Sequence, residues 1–537
     1  MTSVRVAFLA LVVSPIAVEA QVTASDVRVD SIFSRFAGTS TPGCAVGVSR
    51  DGRTLLSRAY GMADLEHERP NTPGTIFEAG SVTKQFTAAA VLLLAQDGTL
   101  SLDDDVRKLI PELPAYATPI TLRHLLNHTS GLRDWGTVAA IGEWPRGSRT
   151  YTNAHVLAVA RRQRTLNYPS GQYFAYTNTG YTLLAMVVER AARMALPDFT
   201  RTRLFEPLGM ASTSWRDDYT RVVKGRAVAY RPAGRGEFRM DMPFENAVGH
   251  GGLLTTTGDL LRWSDNLRTG QVGGPAFIRE MHRQGRVNGG REIRYASGLF
   301  VTHYRGLPEV YHGGGTAGYR AALARYPEQR WGVAVLCNAA NADATALAHQ
   351  VADVYLNRAP EPRERPATVA PALLETRAGL YRDTRTGVAV RLAMREGALG
   401  AVGRGSLVAV SPRRFRAGDI ALVFDEGQRA AFQLVDFDGE PVRYEPVADF
   451  IPAPTQLAEF AGTYHSDEAE VALTFTVVND QLVMRDPDGN AVPLAPTYLD
   501  AFGAGGRAIR FARGPGGRVT GLSLGTDRMW SMPFERR

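Results

Sequence analysis

Apolar residues recur at helical spacing near the start of the chain and again around residue 90. A first helix is predicted from about Ser25, because apolar side chains fall on one face at Val29, Ile32, Phe33 and Phe36. Residues 83–95 are apolar at nearly every position, and the run stops at Asp97-Gly98. A helix that is apolar on all sides lies inside its domain, so we expect this second helix at the centre of the fold.

Strand-like patterns occupy both ends of the first 360 residues. Residues 44–48 and 55–56 flank the turn Asp51-Gly52 and predict a hairpin. Helical patterns dominate from 121 to 270, and strand patterns return at 299–301, 320–325 and 331–336. The two ends are therefore predicted to form one antiparallel sheet, flanked by helices and faced by a helical subdomain, in an α+β domain over residues 21–358.

The rest of the chain changes character after a proline-rich segment. Residues 359–371 hold four prolines among charged residues, which is typical of a stiff linker. Beyond it the chain is strand-like and internally repetitive, since A-G-L-Y at 378–381 recurs as A-G-T-Y at 461–464. We predict two small antiparallel β-barrel-like domains, over residues 372–450 and 451–537.

The N-terminus is typical of an export signal. Arg5 precedes an apolar run over residues 6–13, and Val18-Glu19-Ala20 supplies a small-residue cleavage site. The alternative is a first buried strand, which needs neither feature. We predict a signal peptide over residues 1–20 and a periplasmic or secreted protein. No other apolar stretch approaches the ~20 residues of a membrane span, so no integral membrane segment is expected after cleavage.

Charge excludes one class of partner and singles out one residue type. The 61 Lys+Arg and 54 Asp+Glu residues leave a net charge of +7, without the basic blocks or aromatic-interleaved stripes typical of nucleic-acid binding. Only Lys84, Lys108 and Lys224 are lysine. Arginine cannot lose its proton in a protein, so a position that keeps lysine in this chain is a candidate for an amine that does.

Ser81 and Lys84 form the first candidate site, in the segment S-V-T-K at the start of the apolar helix. The i, i+3 spacing stacks the hydroxyl and the amine on one helical face. Burial and the positive end of the helix both disfavour an ammonium, so the neutral amine can accept the serine proton. The alternative is a capping serine followed by an ordinary surface lysine.

Two further segments offer groups that suit hydrolysis. Tyr176 and Asn178 project to the same side of an extended loop and supply a phenol for proton transfer and an amide for a carbonyl. His312, on an apparent edge strand, is followed by Gly313, Gly314 and Gly315, which leave room for a substrate backbone and expose N–H donors. The alternatives are a packing tyrosine beside a helix cap and a flexible loop with an exposed histidine.

In this order, S-x-x-K, Y-x-N and H-G-G resemble the motifs of the penicillin-recognising serine hydrolases, and most closely those of the class C β-lactamase-like branch. That branch includes D-aminopeptidases, D,D-carboxypeptidases and several esterases. The resemblance covers about residues 25–355 and extends to L-L-N-H-T-S-G-L at 125–132 and G-H-G-G-L-L-T-T at 249–256. The paired barrel-like repeats further resemble the three-domain arrangement of D-aminopeptidases.

The resemblance implies a role for each motif residue. Ser81 would be the acylated nucleophile, Lys84 its base, Tyr176 a proton relay to the leaving group and Asn178 a ligand of the substrate amide. His312 would stand where many relatives have the lysine of a K-T-G strand, and it is a weaker anchor for a carboxylate because histidine is mostly neutral at pH 7.

The same resemblance implies an oxyanion hole and no metal or organic cofactor. The backbone N–H groups of Ser81 and Gly315 would form the hole, with the second donor at Gly315 or one position away from it. The substrate would be a small molecule or peptide, most consistent with D-amino-acid-containing amides or peptides. Small-ester hydrolysis, β-lactam hydrolysis, and a penicillin sensor or scaffold that does not turn over stay open, as does the oligomeric state.

Two further structural expectations concern the cysteines and the tail. The resemblance implies that the first strand, near Cys44, lies antiparallel to the last strand of the catalytic domain, near Cys337, so a disulfide and a pair of buried free thiols both stay open. Independently of the resemblance, all the motif residues lie before the linker, so the tail is predicted to tune specificity and not to perform the chemistry, either by stabilising the hydrolase or by lending a loop to the rim of the site. Its candidate rim loops are residues 486–489 and 502–506, which are rich in turn residues.

Overall fold

The structure, a computed structural model, describes residues 23–142, 149–356, 364–403, 405–418, 420–486 and 489–537. The predicted signal peptide at 1–20 and residues 359–363 of the predicted linker lie outside this part of the chain. In the part that is described, no helix is both long enough and apolar enough to cross a bilayer. The predicted domain limits stay predictions.

One antiparallel sheet is built from both ends of the first 356 residues, which confirms the predicted α+β arrangement. Its strands are β1 Cys44–Arg50, β2 Arg53–Tyr60, β3 Phe300–Tyr304, β4 Leu307–Thr316, β5 Tyr319–Tyr326 and β6 Trp331–Cys337. Their spatial order is β3-β4-β5-β6-β1-β2. Strands β1 and β6 are buried over almost their whole length because helices cover both faces of the sheet.

Six helices matter for the argument: α1 Ala24–Phe33, α2 Lys84–Gln96, α3 Trp135–Ala139, α4 Asn178–Ala192, α5 Thr257–Thr269 and α6 Ala344–Leu356. Helices α1 and α6 pack on one face of the sheet, and α2 and α5 lie in the core on the other. The predicted central helix is confirmed, since 11 of the 13 residues of α2 are buried. Its apolar sequence on all sides requires that burial.

Shorter elements complete the catalytic region. The helices are Leu122–Leu126, Asn153–Ala160, Leu196–Thr200, Glu206–Leu208 and Gly274–His282. A small sheet joins Phe77–Glu78, Leu253–Thr255 and Ser214–Trp215, and two hairpin pairs join Met62–Asp64 with Arg69–Pro70 and Tyr230–Gly234 with Glu237–Met240. The small sheet positions the chain immediately before Ser81.

The tail forms two nine-stranded antiparallel sheets, which confirms the two barrel-like repeats. The first holds Gly379–Asp383, Ala389–Arg395, Ala398–Ala401, Gly405–Ser406, Val408–Ala409, Arg414–Ala417, Ile420–Phe424, Phe432–Val435 and Pro441–Val447. The second holds Gly462–Ser466, Val471–Val478, Gln481–Arg485, Ala491–Pro493, Ala495–Pro496, Ala501–Ala504, Arg507–Arg513, Val519–Thr526 and Met529–Arg536. Helices Pro371–Arg377 and Pro454–Phe460 precede them.

The order of strands explains why each of these sheets curls into a nearly closed barrel. In each, the two edge strands are consecutive in the chain and separated by one residue, Leu407 in the first and Leu494 in the second. The edges must therefore approach each other. The repeat extends to side chains, because Tyr381 donates its hydroxyl to Arg377 O and Tyr464 donates its own to Phe460 O.

The second barrel packs directly on the helical subdomain. Its core residues belong to one apolar cluster with Trp135, Tyr151 and Val156. The Trp530 ring lies 4.6 Å from that of Tyr168, centroid to centroid. The barrel is therefore a covering layer of the catalytic region, and its removal would expose apolar surface.

The sequence left open a disulfide or two free thiols at Cys44 and Cys337, and the structure contains the disulfide. The two residues face each other in register, at the first position of β1 and the last of β6. Adjacent antiparallel strands bring residues 293 positions apart together here. The disulfide can form because both strands are neighbours at the centre of the sheet. The spacing of the cysteines along the chain does not by itself reveal this tertiary pairing.

Candidate active site

Ser81 lies in a one-turn 3₁₀ segment, Gly80–Thr83, that leads directly into α2. Lys84 is the first residue of α2 and is completely buried. Its Nζ lies 3.3 Å from Ser81 Oγ. The predicted stacking of hydroxyl and amine on one helical face is therefore present in the structure.

The surroundings of Lys84 suit a neutral amine. Nζ donates to Asn178 Oδ1 and to the backbone oxygen of His250, each at 2.8 Å. A neutral amine has two N–H donors, which these two oxygens use, and one lone pair, which is left to accept the Ser81 proton. Burial holds the pKa of Lys84 well below its usual value, and the nearby charge of Arg528 lowers it further.

Tyr176 lies over the amine inside a group of aromatic side chains. The Lys84 Nζ is 4.8 Å from the centroid of its ring, and the buried ring of His128 packs 4.3 Å from it on another side. Burial raises the pKa of the Tyr176 phenol, so it carries its proton at neutral pH. Ser81 is close enough to this hydroxyl to oppose part of the rise in its pKa, which suits a group that exchanges protons beside the nucleophile.

Asn178 is the first residue of α4. It is held in place by the carboxylate of Asp134, which the sequence analysis did not single out. The Asn178 N–H donates to Asp134 Oδ2 at 2.7 Å, while Asp134 Oδ1 accepts from Gly136 N and Thr137 N as the cap of α3. One buried carboxylate thus fixes two helix starts. The available signal was an aspartate directly before a short helix, which reads as a cap and not as a site residue.

The glycines of β4 allow the strand to lie against the Ser81 turn. A Cβ on Gly314 would lie 2.1 Å from Ala79 O, and a Cβ on Gly80 would lie 2.6 Å from Gly315 N. Side chains at these positions would therefore separate the two segments. The contact brings the backbone of Gly315 beside the turn that carries Ser81, and the oxyanion hole stays a prediction.

The structure corrects the placement of His312 on an edge strand. Strand β4 lies between β3 and β5, but its last pair with β3 is Tyr311 with Phe300. The segment from Gly313 onward extends beyond β3 and is open on that side, while it remains paired with β5. The sequence alone was enough to locate the open glycine segment. The first half of β4 is covered because it pairs with residues 300–304 in a hairpin, which the sequence analysis did not predict.

His312 itself is turned into the protein. Its Nε2 lies 3.0 Å from Tyr295 Oη, and its Nδ1 lies 2.6 Å from Gly313 O. Burial first, and the Lys84 charge second, lower the pKa of His312 to about 3. The imidazole is therefore neutral, and both of its nitrogens are engaged by the protein. This geometry favours a role in positioning β4 over one as a cationic anchor.

A cavity of about 350 Å³ adjoins the site. Asn178 and His250 line it from the catalytic region, and Arg507, Thr526 and Arg528 line it from the second barrel. The predicted rim loop 502–506 ends next to Arg507, whereas the loop 486–489 lies partly outside the described residues. Arg528 was missed because a two-residue hairpin turn, about 450 positions after Ser81 in the chain, gives no local signal.

The site offers an amine, hydroxyls and an amide, which are not a typical metal-binding set. In the described residues, the one group of three metal-ligating side chains is Asp64, Glu66 and His67, and two of these are exposed. His67 Nδ1 lies 2.8 Å from Asp64 Oδ2, so the pair satisfies itself. The groups gathered at Ser81 are ones that can exchange protons with one another.

Comparison with known proteins adds a family and relatives. Residues 29–356 match the family model Beta-lactamase. The chain is 28% identical over 527 residues to a D-aminopeptidase from Cereibacter sphaeroides, an alignment that covers 94% of this chain and 96% of that protein. A D-aminopeptidase from Gluconobacter oxydans is 27% identical over 533 residues, covering 95% and 98%.

A solved structure shares most of the fold. The octameric penicillin-binding protein homologue from Pyrococcus abyssi superposes with a TM-score of 0.57 at 22% identity, over 86% of this chain and 98% of that one. A likeness at this identity establishes the common architecture.

Proposed function

The chain belongs to the Beta-lactamase family and is a serine hydrolase, and on that premise we propose that it hydrolyses amides and peptides of D-amino acids through an acyl-enzyme on Ser81. The observation that carries the reaction type is the buried Lys84 amine, 3.3 Å from Ser81 Oγ and hydrogen-bonded to two carbonyl oxygens. The proposed substrate class is supported by the two D-aminopeptidases, which align with this chain through both barrels.

In the proposed acylation, Lys84 Nζ accepts the proton of Ser81 Oγ as this oxygen attacks the substrate carbonyl carbon. The backbone N–H groups of Ser81 and Gly315 receive the developing negative charge on the carbonyl oxygen. The C–N bond then breaks, and the leaving amine takes a proton that passes from Lys84 through the Tyr176 phenol. Ser81 is left as an ester.

Deacylation repeats these steps with water. A water molecule gives its proton to the same base and attacks the ester carbonyl, and Ser81 Oγ leaves with the proton that Lys84 holds. Asn178 keeps its Oδ1 on Lys84, which leaves its amide N–H₂ to donate to an acceptor of the substrate other than the attacked carbonyl. The neutral His312 supports a lower rank for β-lactams, because β4 then carries no cation at the position of the K-T-G lysine.

A substrate panel with the Ser81→Ala variant as control tests this proposal. We expect turnover of D-alanine p-nitroanilide with a clear preference over its L-isomer, and none in the variant. Intact-mass measurement after exposure to penicillin adds a second readout. A stable Ser81 adduct without turnover of any substrate would instead indicate a sensor, and turnover limited to aryl esters or a chromogenic cephalosporin would reassign the activity.

We also propose that the chain is exported. The motif over residues 1–20 supports this, and so does the Cys44–Cys337 disulfide, because disulfides persist in oxidising compartments. N-terminal sequencing of protein recovered from the periplasm or medium of an expressing bacterium is expected to start at Gln21. Recovery only from the cytoplasm with an intact N-terminus would contradict the proposal.

A further inference from the structure

The second barrel brings two arginines to the cavity beside the catalytic groups. Arg507 begins the strand Arg507–Arg513, and Arg528 occupies the turn between Val519–Thr526 and Met529–Arg536. Both line the cavity that Asn178 and His250 border from the catalytic region. Because the second barrel completes the wall of this cavity, the two arginines that it contributes can contact a bound substrate.

The backbone of Arg528 is fixed to the catalytic region. Its carbonyl oxygen accepts from Asp134 N at 3.3 Å and from Asn167 Nδ2 at 3.4 Å. The next strand is held by the Trp530 N–H, which donates to Asn167 Oδ1 at 2.9 Å. Arg528 is therefore a positioned residue with several anchors, unlike a side chain on a free loop tip.

The guanidinium of Arg528 lies over the proposed proton relay. Its Cζ is 5.2 Å from the centroid of the Tyr176 ring. If Tyr176 serves the leaving group, as proposed above, the substrate atoms nearest to Arg528 belong to the leaving group. Stacking on an aromatic ring leaves the edge of the guanidinium free to donate two parallel hydrogen bonds.

Neither arginine has a strong carboxylate partner in the part of the chain described. The carboxylate of Asp527 lies 3.8 Å from Arg528 Nε, but Asp527 is 83% exposed, so this contact is weak. Asp134 also borders the cavity, but its two oxygens already accept backbone N–H groups of α3 and α4. The arginine pair is therefore available for an anion.

Of the described catalytic residues, neither Lys84 nor His312 supplies a competing cation. Burial keeps His312 neutral at the pH of assay, and the same cause disfavours the ammonium form of Lys84. An anionic group of the substrate would thus be attracted to the side of the cavity that the second barrel forms. Arginine is the side chain best suited to a carboxylate, because its planar fork matches the two oxygens.

We propose that Arg528, assisted by Arg507, forms a carboxylate-binding subsite for the leaving group of the substrate. This inference rests on the proposed function and narrows it, from D-amino-acid amides and peptides in general to short peptides with a free C-terminal carboxylate. A charge-assisted pair contributes about 1.5–3 kcal/mol, which corresponds to a preference of roughly 10- to 100-fold in kcat/KM.

Matched substrates test the subsite. D-alanyl-glycine and D-alanyl-glycine amide differ only in the terminal carboxylate, and we expect the wild-type chain to favour the free acid by about 10- to 100-fold. The Arg528→Gln variant is expected to lose most of that preference through a higher KM for the acid. Because the substitution also raises the pKa of Lys84, rates are compared on the pH-independent plateau of each enzyme, where the amide changes by less than about threefold. The Arg528→Lys variant should keep part of the preference.

Two variants and one further substrate pair make the result decisive. Arg507→Gln should lower the preference less than Arg528→Gln, and Arg518→Gln, which changes an exposed arginine of the same barrel, should leave it unchanged. An equal fall for acid and amide in Arg528→Gln, or no acid preference in the wild type, would overturn the subsite.

If the wild type cleaves neither peptide, the proposed function fails separately. The subsite is then measured with 3-acetoxybenzoate against phenyl acetate, which place or omit a carboxylate on the leaving group of an ester. A preference for the charged ester that Arg528→Gln removes would support the subsite, and equal rates for the two esters would refute it.

Discussion

Replacing Lys84 by arginine separates its role as a base from its role as a hydrogen-bond donor. Arginine offers N–H donors to Asn178 Oδ1 and His250 O, but it cannot release a proton in a protein and so has no lone pair with which to accept one. A positioned general base contributes about 10²- to 10⁴-fold to the rate. We therefore expect kcat/KM of Lys84→Arg to fall by at least about 100-fold.

The structure sets the size of the competing effects. Lys84 is completely buried, so the larger guanidinium must displace neighbours, and part of any loss reflects packing. Lys84→Met removes the amine and with it the donor to Asn178 Oδ1 and to the buried His250 O, and an oxygen that stays out of contact with water then costs about 1–3 kcal/mol in stability. Both variants are expected to lose activity, and urea unfolding is expected to show that Lys84→Arg is the less destabilised of the two. That result would assign the loss of activity to proton transfer and not to unfolding.

The assay is the initial rate with the best substrate of the panel, together with phosphonylation of Ser81 by a fluorophosphonate probe, in which fluoride leaves, measured by mass. Lys108→Arg is the matched control, because Lys108 is an exposed lysine paired with Asp104 and should keep full activity. The wild-type kcat/KM should rise with pH through the lowered pKa of Lys84, since the neutral amine is the active form. A Lys84→Arg rate within about tenfold of wild type would refute the assignment of the base.

Three further outcomes are expected. The charge of Arg528 lowers the pKa of Lys84, so Arg528→Gln should move the acid limb of the pH profile to higher pH, whereas an unmoved limb would show that the two groups do not interact. Burial raises the pKa of Glu468 from 4.5 to about 6, so the folded chain holds a proton that the unfolded chain releases. Its contribution to the free energy of unfolding should fall as pH rises from 4.5 through 6, and Glu468→Gln should remove that slope in thermal unfolding measured across this range. Thiol titration of the unfolded, unreduced chain should find neither Cys44 nor Cys337 free, and replacing both by serine should lower stability by about 2–5 kcal/mol.

The parts of the fold that sequence predicts are those with strong local patterns. Helix α2 is apolar on every side, and the A-G-x-Y repeat recurs with its tyrosine hydrogen bond in each barrel. Ser81 and Lys84 meet because helical spacing alone brings them together. These features depend on neighbours within a few residues, which a single sequence displays directly.

The features that sequence does not predict are tertiary. Asp134 looks like an ordinary helix cap until Asn178 is seen to donate to it. Whether Cys44 and Cys337 pair depends on which strands become neighbours in the sheet. Arg528 reaches the site only because an apolar face of the second barrel docks on the helical subdomain, and an arginine in a hairpin turn is by itself a solvent-exposed residue.

Because of the disulfide, the effect of cleaving a single peptide bond depends on where in the chain that bond lies. Residues 44–337 form a covalent ring, because the bridge joins the first strand of the sheet to the last. A protease that nicks the ring once leaves one molecule, which separates into fragments only after reduction. A cut between the ring and the barrels has the opposite effect, since nothing covalent then connects Ser81 to Arg528. Any single cleavage between Cys337 and Arg528 would thus divide the nucleophile from the residue that we propose selects its substrate, whereas a single cleavage inside the ring would not.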